Sequence, residues 1–217
     1  MIVVQLSQRL READRQLQYI RETADIYCRR LNQPERAVPV LQRAFELAPK
    51  DTALATQLAD SLRASDRLKQ AGELLQRLIK RFGRKRSRTR AALHFRLARI
   101  RKDEGDVQGA FEQLDTAVKM DLQHVGALGM QGELAREQGD LERAERSYRA
   151  LLLLFRQKPP AESDTVGPSE AFYELSRVAR ERGNDDQAEE LLESAFEVAL
   201  GDQAESRRYQ QLLRERD

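Results

Sequence analysis

Five alanines recur along the chain at intervals of 34, 39, 34 and 44 residues, and each begins the same short apolar pattern. The five are Ala37, Ala71, Ala110, Ala144 and Ala188. Four residues later the chain has Leu41, Leu75, Leu114, Tyr148 and Leu192, and seven residues later it has Ala44, Leu78, Ala117, Leu151 and Ala195. Residues with this spacing share one stripe of an α-helix. The pattern predicts one amphipathic helix in each of five repeated units.

A second helix is predicted before each alanine, separated from it by a tight turn. The turn positions, five residues before the alanines, hold Asn32, Asp66, Gly105, Gly139 and Gly183. Glycine ends helices in a left-handed conformation, and the polar residue after each of the three glycines can cap the next helix. Small residues stand twelve positions before the later alanines, at Ala59, Ala98, Gly132 and Ser176. They allow two helices to pack closely, so each unit is predicted to be helix, turn, helix.

The leucine that precedes the small residue in three units is replaced by Gln131 in the fourth unit, and Asp25 takes the small position in the first. With these two exceptions, the columns resemble those of the tetratricopeptide repeat (TPR) family, whose unit is 34 residues long. On that pattern the repeats are residues 18–51, 52–90, 91–124, 125–168 and 169–202. Residues 1–17 are an N-terminal helix or a partial preceding repeat, and residues 203–217 are a capping helix.

The resemblance implies an all-α fold, a right-handed α-solenoid of stacked antiparallel helix hairpins with a C-terminal capping helix, formed by residues 1–217 as a single domain. The composition agrees, because 6% aromatic residues and no tryptophan favour thin helical layers over one thick core. An array that began in mid-repeat would be a piece of a longer repeat protein. The single cysteine, Cys28, excludes an intrachain disulfide. The sequence shows no signal peptide and no membrane-spanning run, so we expect a soluble, cytoplasmic protein, and the Arg, Glu, Leu and Ala bias favours a bacterial source.

The net charge of +2 conceals a division between two halves of the chain. Residues 1–105 contain 24 Lys and Arg against 12 Asp and Glu, whereas residues 106–217 contain 14 against 24. The halves therefore carry +12 and −10. Two interpretations remain open: the charges solvate the outer faces, or oppositely charged ends orient a partner or join copies of the chain head to tail.

The two longer intervals between alanines identify insertions. In the first, residues 81–90, six of ten positions are basic, and the candidate partner-binding residues are Arg84, Lys85, Arg86 and Arg88. This segment is a solvated loop, a contact for an acidic protein, or a nucleic-acid site; its lack of aromatic residues beyond Phe82 disfavours the last. The second insertion, within residues 157–167, contains Pro159 and Pro160 and is predicted to be a loop that ends the preceding helix by Lys158. Ser169 is predicted to cap the helix that follows.

The family resemblance implies a binding groove lined by the first helices of the repeats. The candidate residues there are Phe95, Arg96, Arg99, Lys102, Met130, Glu133, Arg136, Tyr173, Arg177 and Arg180. Arginine and aromatic side chains supply most interface hot spots, so the expected partner is another protein whose bound segment has apolar anchors and acidic flanks. The alternative is that Phe95, Met130 and Tyr173 pack between hairpins. No register of these positions reproduces the clamp by which some TPR proteins bind two carboxylates of chaperone tails.

The sequence contains no constellation typical of catalysis. His94 and His124 belong to no close cluster of metal-ligating residues, Cys28 has no evident partner base, and no glycine-rich phosphate loop is present. We therefore expect no catalytic residues, no cofactor and no metal. The predicted function is a non-catalytic protein-interaction scaffold or adaptor. A self-assembling structural module is the alternative, and nucleic-acid binding through residues 81–90 is a minor one.

Overall fold

The computed structural model describes residues 15–83, 86–160 and 166–216, and these ranges contain helices and no strand. The first helix, α1, is α-helical at residues 15–25 and ends in a π-helical turn, Ile26–Arg30. The helices that follow are α2 (Pro34–Leu47), α3 (Thr52–Ala64), α4 (Leu68–Arg81), α5 (Arg88–Asp103), α6 (Val107–Met120), α7 (Val125–Glu137), α8 (Leu141–Gln157), α9 (Pro168–Glu181), α10 (Asp185–Gly201) and α11 (Gln203–Arg216). The predicted all-α class is confirmed.

The predicted turn positions adopt the left-handed backbone that ends a helix. The φ angles are 48° at Asn32, 57° at Asp66, 79° at Gly105, 74° at Gly139 and 77° at Gly183. Asparagine and aspartate are the non-glycine residues that tolerate this region best. After Gly139, the Asp140 carboxylate accepts a hydrogen bond from the backbone N–H of Arg143 at 3.1 Å and caps α8. The turns therefore form as the sequence predicts.

The helices form two compact units, Met1–Asp106 (unit 1) and Val107–Asp217 (unit 2). All five alanines of the repeated pattern are fully buried, two in unit 1 and three in unit 2. In unit 1 they pack among Leu41, Leu75 and Leu78, and the corresponding buried side chains of unit 2 include Leu114, Tyr148 and Leu151. The alternation of alanine with large side chains allows neighbouring helices to interdigitate closely.

Gly132 shows why one column of the repeat requires a small residue. A Cβ atom at this position of α7 would lie 2.7 Å from Cζ of Tyr148 on α8. The Tyr148 side chain is only 2% exposed, and its burial raises the pKa of its phenol far above the ordinary value. The ring of Tyr148 therefore fills the space that any side chain at Gly132 would need.

Gln131, the exception in the leucine column, joins three helices of unit 2 through polar contacts. Its Nε2 donates to Oδ1 of Asp115 on α6 at 2.7 Å, and its Oε1 accepts from the Ser147 hydroxyl on α8 at 3.1 Å. Arg143 also reaches Asp115, at 2.5 Å, and its guanidinium lies 4.2 Å from the ring centre of Phe111. A hydrogen-bonded link thus replaces apolar packing at this position.

The start of α9 differs from the sequence prediction. As expected, α8 ends at Gln157, but Ser169 is not the cap, because α9 begins at Pro168 and Gly167 is its N-cap residue. Ser169 is fully buried, and both its backbone N–H and its hydroxyl donate to Oε2 of Glu205, at 3.2 and 2.6 Å. The first turn of α9 is therefore satisfied by a carboxylate from α11.

The last helix, α11, covers the end of unit 2 by packing on α9 and α10. Glu205 is 4% exposed, and its second oxygen accepts a hydrogen bond from Arg208 at 2.7 Å. Further along α11, the ring of Tyr209 meets Tyr173 edge to face, with 6.2 Å between ring centres. This arrangement fits the capping helix predicted from the sequence.

Candidate protein-binding faces

In unit 1 the first helices α3 and α5 carry side chains, polar except for Phe95, that are not part of the buried core. We call this surface the unit-1 face. It comprises Thr56, Gln57, Asp60, Arg63, Phe95, Arg96, Arg99, Lys102 and Asp103. A cleft of about 970 Å³ lies beside it and is lined by α1 residues such as Glu22 and Asp25, by Gln57 and Asp60 of α3, and by Arg96 of α5. The cleft therefore brings three successive repeats to one surface.

Two ion pairs tie α3 to α5 across the unit-1 face. Nε of Arg96 lies 3.1 Å from Oδ2 of Asp60. Nε of Arg63 lies 2.5 Å from Oδ2 of Asp103, and Nη2 of Arg63 donates to Oδ1 of the same carboxylate at 3.1 Å. The sequence predicted Arg96 as a candidate binding residue but did not predict its ion pair with Asp60. Such a partnership depends on how neighbouring repeats stack.

Arg99 lies among these pairs without one of its own. Its side chain is half-buried and forms no hydrogen bond or ion pair with any residue that the structure describes. Burial lowers the pKa of its guanidinium, and the positive charges of Arg63 and Arg96 add to this effect, whereas Asp60 and Asp103 oppose it. Of the guanidinium groups of Arg63, Arg96 and Arg99, that of Arg99 is therefore the one that pairs with neither Asp60 nor Asp103.

In unit 2 the predicted binding residues Arg136 and Arg177 are engaged in structural ion pairs. Arg136 of α7 is 14% exposed; it donates to Oε1 of Glu181 at 2.9 Å, and its Nε lies 3.4 Å from Oε2 of Glu174. Burial opposes the charge of Arg136, but the hydrogen bond to Glu181 and the charge of Glu174 raise its pKa overall. Glu174 is 2% exposed and also lies 3.4 Å from Arg177. These contacts hold α7 against α9.

Parts of the chain itself lie on the first helices of unit 2. Tyr173 is half-buried and packs against Tyr209 of α11. Val166, at the end of the proline-containing insertion, packs so closely on α7 that a Cβ atom at Gly129 would lie 2.7 Å from its Cγ2. The remaining candidates are half-buried at Met130 and Glu133 and exposed at Arg180. Unit 2 therefore offers a less open first-helix surface than unit 1.

Of the basic insertion, the structure describes residues 81–83 and 86–90. Arg84 and Lys85 lie outside the described residues, whereas Arg86 and Arg88 are exposed at the start of α5. The hydroxyl of Ser87 accepts a hydrogen bond from the backbone N–H of Arg90 at 3.1 Å and caps this helix.

The histidines and the cysteine have local structural contacts. His94 is buried, and Nδ1 of His124 accepts a hydrogen bond from the backbone N–H of Ala127 at 3.2 Å, which caps α7. Sγ of Cys28 lies 3.3 Å from the Ser61 hydroxyl. Within residues 15–83, 86–160 and 166–216, no three His, Cys, Asp or Glu side chains are placed to hold a metal ion. Among the described helices, none has the length and apolar character that crossing a bilayer requires.

Comparison with known proteins agrees with the repeated helical hairpins. Two tetratricopeptide repeat models match, one at residues 30–93 and the other at residues 95–162. A search of curated protein sequences found no significant match.

Solved structures share the fold at low sequence identity. BtubC (BKLC) from P. vanneervenii is 17% identical with a TM-score of 0.71, and the match covers 90% of this chain and 91% of that one. MamA from Desulfovibrio magneticus RS-1 is 14% identical with a TM-score of 0.65, covering 86% and 96%. YrrB, described as a TPR protein with an unusual peptide-binding site, is 18% identical with a TM-score of 0.56, covering 86% and 88%. From its repeat pattern, its helical hairpins and the two model matches, this chain belongs to the tetratricopeptide repeat family.

Proposed function

We propose that this chain is a non-catalytic scaffold that binds a segment of another protein on its first helices, chiefly on the unit-1 face. The observation that carries the proposal is the cleft of about 970 Å³ in unit 1, lined by charged and polar side chains from successive repeats. Family membership supports a protein-binding role in general, because stacked repeats form extended surfaces that such proteins use for binding. The peptide-binding site named for YrrB is consistent with this use of the fold.

The chemistry of the unit-1 face favours a partner segment with apolar anchors and acidic flanks. Phe95 is half-buried on α5, one helical turn from Arg99, and Arg96 and Lys102 share that helix. Aromatic and arginine side chains commonly carry interface energy, and positive groups speed the approach of acidic partners. Unit 2 contributes less in this proposal, because Val166 and α11 lie on its first helices.

Affinity capture with alanine variants tests the proposal. Phe95→Ala should remove captured partners while leaving the melting temperature close to that of the wild type, because Phe95 acts at the binding surface. Phe196→Ala is the matched control, since Phe196 is 55% exposed on α10, a second helix, and its loss should not affect capture. Retained capture together with a lower melting temperature for Phe95→Ala would contradict the proposal and favour packing between hairpins.

Tyr173→Ala tests packing in unit 2. Because Tyr173 contacts Tyr209 of the capping helix, we expect this variant to lower the melting temperature and to leave capture unchanged. Lost capture at an unchanged melting temperature would instead assign Tyr173 to the binding surface.

Self-assembly through opposite charges is the second candidate function. The division between the positive and the negative part of the chain, after residue 105, lies one residue from the boundary between unit 1 and unit 2. Unit 1 of one molecule would therefore attract unit 2 of another at low ionic strength.

A further inference from the structure

We infer that Arg99 is the docking point for a carboxylate group of the bound protein segment, so that the unit-1 face selects an acidic residue or a free chain end at one position. This inference rests on the proposed function and specifies the chemistry of the partner. It assigns a role to Arg99 that differs from those of its neighbours Arg63 and Arg96.

The geometry of the cluster sets Arg99 apart. Three guanidinium groups, those of Arg63, Arg96 and Arg99, share two carboxylates, those of Asp60 and Asp103. Arg96 pairs with Asp60 at 3.1 Å, and Arg63 meets both oxygens of Asp103, at 2.5 and 3.1 Å. Both carboxylates thus have a partner already. Arg99 interacts electrostatically with all four groups but makes no direct contact with either carboxylate.

This arrangement leaves a charge that is partly desolvated and uncompensated. Half-burial removes water from the Arg99 guanidinium, and two like charges lie close to it. A ligand carboxylate would restore the balance of charges and could accept two parallel N–H···O hydrogen bonds, which the planar guanidinium is built to donate. The side chains around Arg99 are already held in place by ion pairs. Binding a ligand would therefore order few further side chains and cost little conformational entropy.

A carboxylate fits this position better than the phosphate chain of a nucleic acid. Among the described side chains of the cluster formed by Arg63, Arg96 and Arg99, one guanidinium lacks a carboxylate partner, and Asp60 and Asp103 lie beside it. A polyanion would therefore meet repulsion as well as attraction at this position. A single carboxylate needs only one free arginine. Phe95 lies one helical turn away on α5, so the segment is expected to place an apolar side chain near its acidic group.

The test selects peptides with the full chain and compares two variants. Two random dodecapeptide libraries are used as probes, one with its C-termini fused and one with its C-termini free, so that side-chain and terminal carboxylates are distinguished. The wild type, Arg99→Gln and Arg36→Gln are each used as bait. Arg36 is the matched control, because it is an exposed arginine of unit 1 on the second helix α2 and is not part of the unit-1 face. Selected peptides are then synthesised and titrated by fluorescence anisotropy, together with forms in which the carboxylate is replaced by an amide.

We expect the wild type and Arg36→Gln to select peptides with a carboxylate at a fixed position. Arg99→Gln should bind them at least about tenfold more weakly, which is typical for loss of a charge-assisted hydrogen bond. The amide peptide should bind the wild type as weakly as the acidic peptide binds Arg99→Gln, without further loss when both changes are combined. Arg99→Lys should retain part of the affinity, because it keeps the charge but loses the planar fork.

The melting temperature distinguishes carboxylate binding from a purely structural role, because a purely structural role predicts a lower melting temperature for Arg99→Gln. Arg99→Gln should melt at or above the temperature of the wild type, because it removes an uncompensated charge. Equal affinity of the wild type and Arg99→Gln for the selected peptides, or no selection of carboxylates, would overturn the inference. Arg99-dependent binding of the oligonucleotide dT12 without peptide binding would also overturn it. If selected peptides are neutral and their binding depends on Phe95, the inference fails and the proposed function stands.

Discussion

At the scale of single residues, the repeat depends on positions where one side chain leaves no space for another. Gly132→Ala should destabilise the chain by about 1–3 kcal/mol, the usual cost of overpacking a core, because its Cβ would lie 2.7 Å from Cζ of the buried Tyr148 ring. Urea denaturation followed by circular dichroism measures the effect. Tyr148→Leu should be less harmful in the Gly132→Ala background than in the wild type, since a smaller neighbour relieves the overlap.

Gly72 provides the matched control for this prediction. It also lies within a helix, α4, but a Cβ atom there would meet Ile100 at an ordinary contact distance of 3.8 Å. Gly72→Ala should therefore stabilise the chain by about 0.5–1 kcal/mol through helix propensity. If both alanine variants have the same free energy of unfolding, close packing at Tyr148 is not what requires glycine at position 132.

At the scale of helices, the buried carboxylate of Glu205 helps to hold the capping helix α11 against α9. Glu205→Ala removes the acceptor for the backbone N–H and hydroxyl of Ser169 and should cost about 2 kcal/mol, since buried donors lose their partner. Hydrogen exchange should increase in α11 and in the first turn of α9 but not in unit 1. Glu197→Ala, at an exposed site on α10, is the control and should leave exchange unchanged. Unchanged protection of α11 in Glu205→Ala would show that apolar packing alone holds it.

The sequence predicted helices and turns better than it predicted contacts between them. Helix α8 and the left-handed turn at Gly139 follow from local spacing and backbone preference, so they could be predicted directly. The bond between Glu205 and Ser169 joins residues 36 positions apart, and a glutamate on a polar helix is typical of a solvated surface. Gly167, not Ser169, is the N-cap residue of α9, and the buried Ser169 donates instead to Glu205 of α11.

The sequence predicted where the candidate binding residues lie on the helices better than it predicted their ionic contacts. The TPR repeat pattern placed Arg96, Arg99 and Arg136 on first helices. It did not predict which of these arginines form ion pairs with carboxylates. Arg96 pairs with Asp60 and Arg136 with Glu181, whereas Arg99 pairs with neither neighbouring carboxylate. Each outcome depends on the rotation between successive hairpins, which no local pattern encodes.

At the scale of the whole molecule, the opposite charges of the two halves predict salt-dependent association if the second candidate function is correct. Residues 1–105 carry +12 and residues 106–217 carry −10, so copies should associate at low ionic strength and separate at high ionic strength, where the Debye length is short. Analytical ultracentrifugation over a range of salt concentrations measures this. A monomer at every salt concentration would exclude head-to-tail assembly and leave the partner-binding function unaffected.

The most direct test of the proposed scaffold function is site-specific photocrosslinking from the unit-1 face. A photoreactive phenylalanine analogue replaces Gln57, which lines the cleft on α3, or Gln76, which is exposed on the second helix α4 of the same repeat. Both proteins are irradiated in extract of the source organism, and the adducts are identified by mass spectrometry. We expect adducts with another protein from position 57 and none from position 76. Adducts from position 76 alone, or from neither position, would contradict the proposed scaffold function.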